Sequence, residues 1–356
     1  MSDTPRVGFC CKFETEDKTL KASMNQASTT LKALRAMKRD QSYEKLSGLV
    51  RHNIAALRKQ LAWLSTQPEE MRMFRITSDF LPAYTVEEFG WIYRDKDVRD
   101  LVEHGLSGIC DLAGASGIRL CTHPGQFTTL CSQRPDVVDN SIIDLNYHAY
   151  LAECMGFGAN WHTQGFAINI HANSNLDPDL VQMKSTIKNR LSLTLRNLLT
   201  IENDEFGCSL DEMLAAQLYH VVPIVLDIHH HWVESGGEYI QPDDPRIDKI
   251  KLSWCGVRPL GHFSTSSEEL LEGACSLTQP DFTSLSAEGH KPSKLRAHSY
   301  GCWNQGSNDW ALSHLVWTDL EVEAKGKQVA SRQLYERAKI LGSFEPVAVV
   351  VDNGTG

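Results

Sequence analysis

Residues 199–230 read LTIENDEFGCSLDEMLAAQLYHVVPIVLDIHH. Two apolar runs, Leu199–Glu202 and Pro223–Asp227, flank an amphipathic stretch, Leu210–Tyr219. Each run is short and apolar, as a strand buried on both faces should be, and each ends in a carboxylate. Strand, helix, strand in that order is the unit of a parallel sheet. Outward from this segment the unit recurs. Further apolar runs are Arg6–Cys10, Met73–Ile76, Ile118–Thr122, Ala167–His171, Leu260–Ser264 and Asp319–Glu323. Helical patterns fall between most of them, at Thr29–Leu64, Asp97–Ala115, Ser141–Met155, Leu180–Asn197 and Val329–Leu341. Eight strands alternating with helices predict an α/β chain closed into a single (β/α)8 TIM barrel with loop insertions. Residues 1–341 are expected to form that domain, and 342–356 a C-terminal tail in which Pro346–Asp352 could add one strand. Ser267–Lys294, rich in Ser, Gly and Pro, breaks the rhythm and reads as an insertion.

The length of 356 residues suits one such barrel or two smaller domains. Apolar residues at 42% and charged residues at 22% describe a globular chain rather than a disordered one. No apolar run approaches eighteen residues, which excludes a transmembrane helix. The polar start, Met1–Arg6, does not read as a signal peptide. A net charge of −10 excludes a general coating of nucleic acid, so any DNA contact must come from a local patch. The ten cysteines form no CxxC pair, which predicts reduced and mostly buried thiols in a cytoplasmic protein. In a eukaryote the corresponding compartment would be the nucleus or an organelle.

The strand ends carry the chemistry. His123 follows the third run, His171 ends the fourth, and Glu202 and Asp227 end the fifth and sixth. His262 lies within the seventh, and Glu323 ends the eighth. In a (β/α)8 barrel the C-terminal strand ends converge on one mouth. His, Asp and Glu are ligands for borderline and hard divalent cations. Clustered ions need shared carboxylates between them, and they suit phosphodiester hydrolysis by activating water and stabilising the leaving oxygen. Glu202, Asp227 and Glu323 are thus the candidate catalytic carboxylates.

Several segments resemble those of the UV damage endonucleases, divalent-metal DNA repair enzymes with a TIM-barrel fold. They are Val7-Gly8-Phe9, Phe74-Arg75-Ile76, His123-Pro124-Gly125-Gln126-Phe127, Ile170-His171, Glu202-Asn203-Asp204, Asp227-Ile228-His229-His230, His262-Phe263-Ser264, Ala297-His298 and Val322-Glu323-Ala324-Lys325-Gly326-Lys327. The resemblance spans residues 7–327. It implies a divalent-metal cluster, Mn2+ foremost with Mg2+ or Zn2+ as alternatives, in which Glu202 bridges two ions. Asp227, His262 and Glu323 would complete one site, His123 and His171 would serve a second, and His230 and His298 a third. It implies damaged double-stranded DNA as the partner, with no obligate protein partner and no membrane. Incision would fall immediately 5′ to pyrimidine dimers and 6-4 photoproducts, with abasic sites as a further substrate. Gln126 and Phe127 match the pair that probes damaged DNA from within the duplex, where an aromatic wedge replaces lost stacking. Phe9, in the first matching segment, is grouped with them. Lys325 and Lys327, beside Glu323, are candidates to meet phosphate.

Three departures stand out. Relatives carry a histidine after the second strand, where this chain reads Pro82-Ala83-Tyr84-Thr85-Val86. In some relatives a lysine two residues before the His262 position is modified and helps hold metal; here it is Leu260. Phe13 replaces an asparagine. These changes motivate an alternative, a damage-binding protein with impaired catalysis. A metal-dependent sugar isomerase is a second alternative, lacking support from HPGQF. Residues 31–60 hold eight basic and two acidic residues, a candidate phosphate surface whose plainer reading is a solvated helical face. Likewise His229 and His231 read as packing neighbours of the ligand His230.

Overall fold

Eight short parallel strands lie side by side and close on themselves. They are β1 (Val7–Cys10), β2 (Met73–Ile76), β3 (Arg119–Thr122), β4 (Ala167–His171), β5 (Leu199–Glu202), β6 (Ile224–Asp227), β7 (Leu260–Phe263) and β8 (Asp319–Val322). The computed structural model describes residues 4–173, 177–268 and 275–344; the strand expected at Pro346–Asp352 lies outside them. Closure is made by β1 pairing with β8, Val7 opposite Leu320 and Phe9 opposite Val322. Each strand falls within a residue of its expected position. Glu323, just past β8, still donates its N–H to the Phe263 carbonyl at 2.8 Å.

Helices wrap the barrel, and their apolar stripes form its outer core. In Arg39–Ser65 the buried face is Leu46, Leu49, Val50, Ile54, Leu57, Leu61 and Leu64, the three-and-four spacing of a helix packed on one side. The single helix expected over Thr29–Leu64 is two, Leu31–Arg35 and Arg39–Ser65. Gln41 reaches back to cap the Lys38 N–H at 2.9 Å and starts a new helix there. Gly108, at φ +76°, divides the helix expected over Asp97–Ala115 in the same way. The insertion after β7 contains two short helices, Phe282–Ala287 and Pro292–Leu295.

Several basic residues of the first helical region are engaged within the chain. Arg58 donates to the Gly105 carbonyl at 2.7 Å, Arg35 pairs with Glu88 at 2.8 Å, and Arg39 covers the Trp91 ring at 4.2 Å.

The N-terminal end of the barrel is held by one carboxylate. Asp319, fully buried, accepts from the Arg6 N–H at 2.9 Å, from Arg258 Nε at 2.8 Å and from Arg119 Nη1 at 2.8 Å. This ties together the starts of β1, β3, β7 and β8. Removing one partner of a buried ion pair costs roughly 3–5 kcal/mol, because the charge left behind is neither paired nor hydrated. Asp319→Asn should therefore lower stability by about that amount in urea denaturation, with metal binding at the far end retained. An unchanged unfolding midpoint would contradict this role.

Candidate metal centre

At the other end, the strand termini bring together the residues expected there. Glu202 stands at the centre. Its Oε2 lies 3.1 Å from His123 Nε2, and its Oε1 lies 3.2 Å from His262 Nδ1 and 3.3 Å from His230 Nδ1. Asn169 on β4 donates to Glu202 Oε2, and the Thr200 hydroxyl fixes that amide by donating to Asn169 Oδ1 at 2.8 Å. Asp227 ends β6 and caps the helix Ile228–Glu234, its Oδ1 accepting from the His229 and His230 N–H groups at 2.7 and 2.9 Å. Asn203 clamps the adjacent strand end by exchanging two hydrogen bonds with the Asp227 backbone, at 2.9 and 3.0 Å.

Three groups of ligand atoms gather within 4.8 Å: His123, His171 and Glu202; Glu202, Asp227 and His262; and His123, His262 and Glu323. His230 and His298, expected to share a third site, stand outside these groups among the described residues. His230 Nε2 faces Glu205 at 3.5 Å and Asp227 Oδ2 at 3.6 Å. His298 Nε2 lies 3.9 Å from Glu323. It reaches the mouth because Ser266 and His298 form an isolated antiparallel bridge, with Ser299 N–H donating to the Thr265 carbonyl at 2.9 Å. His229 instead stacks on Trp232, 5.8 Å between centroids, and walls the site.

The electrostatics fit a cation centre. His123 Nδ1 lies 2.9 Å from the Pro124 carbonyl and His230 Nδ1 lies 3.2 Å from the Asn203 carbonyl. A carbonyl can only accept, so Nδ1 carries a proton in both rings. Each Nε2 faces a carboxylate, an arrangement that needs a shared positive charge there, either a second proton or a metal ion. Glu202 Oε1, Asp227 Oδ2 and both nitrogens of His262 are buried without a hydrogen bond. The donor set therefore fits divalent cations, with Glu202, Asp227, His262, Glu323, His123 and His171 as the residues to hold them. Burial lifts Asp227 to about 6, with repulsion from Glu202 and Glu323 adding and His230 opposing. Burial disfavours charge on His262, yet Glu202, Glu321 and Glu323 raise it to about 10.

Arg75 and Glu321 have no role in the sequence reading, although both lie in or beside matching segments. Arg75, inside the mouth on β2, pairs with Glu323 at 2.6 Å and Glu321 at 2.8 Å. Cys121 donates to Glu321 at 2.9 Å. Asp204, which the sequence shows only as part of a matching segment, lies 3.3 Å from His171.

Gln126 and Phe127 protrude from the loop after β3, and Phe127 is 84% exposed. Lys325 is exposed at the mouth, whereas Lys327 turns inward, its Nζ 3.7 Å from Cys10 Sγ. Phe9 is a correction. It points to the helical layer, 1% exposed and packed on Phe74 and Trp63, because alternate strand residues face opposite sides; no DNA can touch it. Phe13 also packs on Trp63. Tyr84 joins Tyr93, Tyr147 and Tyr150 in an aromatic cluster and supplies no imidazole. Leu260 is fully buried in register with Asp319, at the lower end of β7 beneath His262.

The model of the UV-endonuclease UvdE family matches residues 5–354. The chain belongs to that family. It is 28% identical to a UV DNA damage endonuclease of Bacillus pumilus, over 56% of this chain and 60% of that protein. It is 26% identical to a UV-damage endonuclease of Schizosaccharomyces pombe, over 97% of this chain and 52% of that protein. These matches span roughly half to three-fifths of those relatives' lengths. The crystal structure of SacUVDE superposes with a TM-score of 0.71 at 22% identity, covering 95% of this chain and 99% of that one, and shares the fold.

The Phe74-Arg75-Ile76 segment acquires a physical meaning here: Arg75 is the counter-charge of two carboxylates, Glu321 and Glu323. Arg75→Met should cost the metal-free protein about 3–5 kcal/mol in urea denaturation. An unchanged midpoint would mean that Glu321 and Glu323 do not depend on it.

Proposed function

We propose that this UvdE-family chain is a divalent-metal endonuclease acting on damaged double-stranded DNA. The proposed incision is immediately 5′ to a UV lesion, a pyrimidine dimer or 6-4 photoproduct, with abasic sites as a further substrate. The observation that supports the metal requirement is the set of buried ligand atoms without a hydrogen bond, Glu202 Oε1, Asp227 Oδ2 and both His262 nitrogens, with His123 Nε2 3.1 Å from Glu202 Oε2.

Glu202, Asp227 and Glu323 are the proposed catalytic carboxylates. With His123, His171 and His262 they would hold the ions, and His230 and His298 complete the ring. Mn2+ is the proposed metal, with Mg2+ or Zn2+ as alternatives. When bound, the ions would supply Lewis acidity to the phosphodiester and acidify water at the site. This chain's own residues orient and exclude. Asn169 and Asn203 fix the two central carboxylates, and Arg75 keeps Glu323 ionised by its charge against the burial that opposes ionisation. Phe127, beside Gln126 and following a Pro-Gly turn, is proposed to enter the duplex and replace the stacking lost at the lesion. Lys325 is proposed to meet phosphate. Lys327 is a weaker candidate, since its ammonium turns toward Cys10. Residues 1–341 are proposed as the catalytic unit. Among the described residues no helix is long and apolar enough to cross a membrane.

The reading of a damage-binding protein without incision has two observations behind it, buried Leu260 and Tyr84 locked among tyrosines. One experiment separates the two. A duplex with a single defined dimer is incubated with metal-free protein to which Mn2+, Mg2+ or Zn2+ is added. The native chain should incise and Glu202→Gln should not, with bound metal lost in the variant because a bridging charge is gone. Binding without incision at every metal would favour the alternative, and full turnover with unchanged metal content in Glu202→Gln would overturn the cluster.

A further inference from the structure

Phe206 is 58% exposed although it follows Glu202 by only four residues, on the loop that leaves β5 at the mouth. Isolated exposed aromatics are common and by themselves mean nothing. This one is held in place on all sides. Its N–H donates to Asp204 Oδ1 at 2.8 Å, and Asp204 N–H donates to the Cys208 carbonyl at 3.0 Å. Cys208 N–H donates in turn to the Ala172 carbonyl at 2.6 Å. A Cβ on Gly207 would fall 2.2 Å from the Ala172 oxygen, so only glycine allows the loop to sit this close to β4.

A cation backs the ring. The Arg296 guanidinium carbon lies 5.0 Å from the Phe206 centroid. Arg296 is itself anchored to Glu205 at 2.5 Å, and Glu205, almost fully buried, faces His230 at 3.5 Å. The local acids are thereby occupied: Glu205 by Arg296 and Asp204 by His171. What remains outward is an aromatic face with a half-exposed guanidinium beside it, a combination that suits a stacked base with a nearby phosphate.

This platform shares a lip with the probe loop. Asn173 donates to the Gln126 carbonyl at 2.6 Å, and the Gly207 Cβ position falls 2.5 Å from Asn173 Cα. Phe127, Asn173 and Phe206 thus follow one another over the consecutive strands β3, β4 and β5. We propose that Phe206, backed by Arg296, is a second stacking platform that receives a nucleobase displaced when Gln126 and Phe127 enter the duplex. This rests on the endonuclease reading above and adds a base-binding subsite to it.

The test compares affinities of the full chain for intact duplex and for duplex with one pyrimidine dimer and a non-hydrolysable linkage 5′ to it. Phe206→Ala and Phe206→Leu should each weaken binding to damaged duplex about tenfold, within the range seen for loss of one base–aromatic stack. Binding to intact duplex, thermal stability and metal content should be unchanged. Phe206→Trp should restore the preference, since it restores a stacking face where leucine restores only apolar bulk. Native preference in Phe206→Ala or Phe206→Leu, or equal losses on both duplexes, would overturn the platform. Phe127→Ala is measured in parallel. If the native chain prefers damaged duplex and Phe127→Ala loses that preference while Phe206→Ala keeps it, only the second platform is wrong. If the native chain has no preference at all, the endonuclease reading fails and the platform with it.

Discussion

Three buried carboxylates, Glu202, Asp227 and Glu321, and a fourth that is largely buried, Glu323, share one end of the barrel. Two like charges 4 Å apart repel by about 4 kcal/mol at an effective dielectric near 20, and each has also left water. Such a cluster persists only if positive charge is built in around it. Arg75 supplies one permanent charge, shared between Glu321 and Glu323. Imidazoles supply the rest, and the lift of His262 to about 10 measures how strongly the carboxylates demand it. A dication meets that demand better than a proton does, which is why the same ring of residues reads as a metal centre.

The opposite end of the barrel shows what a purely structural solution looks like. There a single carboxylate, Asp319, accepts from Arg6, Arg119 and Arg258. That cluster has an excess of donors, whereas the mouth has an excess of acceptors. Asp319, Glu202 and Asp227 are each fully buried, so burial alone does not distinguish the two ends. The balance of donors does: Asp319 has no unsatisfied oxygen, while Glu202 Oε1 and Asp227 Oδ2 are buried without a hydrogen bond.

The barrel is legible in the sequence because strands buried on both faces leave short apolar runs, and because their ends carry residues that such runs otherwise avoid. Glu202 and Asp227 stand out for that reason. Helix breaks are less legible, since the Gln41 cap and the φ of Gly108 interrupt an amphipathic pattern without altering it. Strand parity explains the failure at Phe9: a motif match gives the position of a residue but not the side of the sheet it faces. Arg75 passes unnoticed because an arginine in a strand reads as an edge or surface residue until its two carboxylates are seen on β8. His298 is legible only through the family resemblance; its approach to the mouth depends on an antiparallel bridge to the loop after β7, which no local pattern encodes.

The ligand atoms gathered around Glu202 suit divalent cations better than protons. Anomalous diffraction from crystals of the full chain equilibrated with Mn2+ tests it directly. Peaks on both sides of Glu202, one within ligand distance of His123 and His171 and one within ligand distance of Asp227 and His262, are the expected result. A map without peaks at the mouth would contradict it.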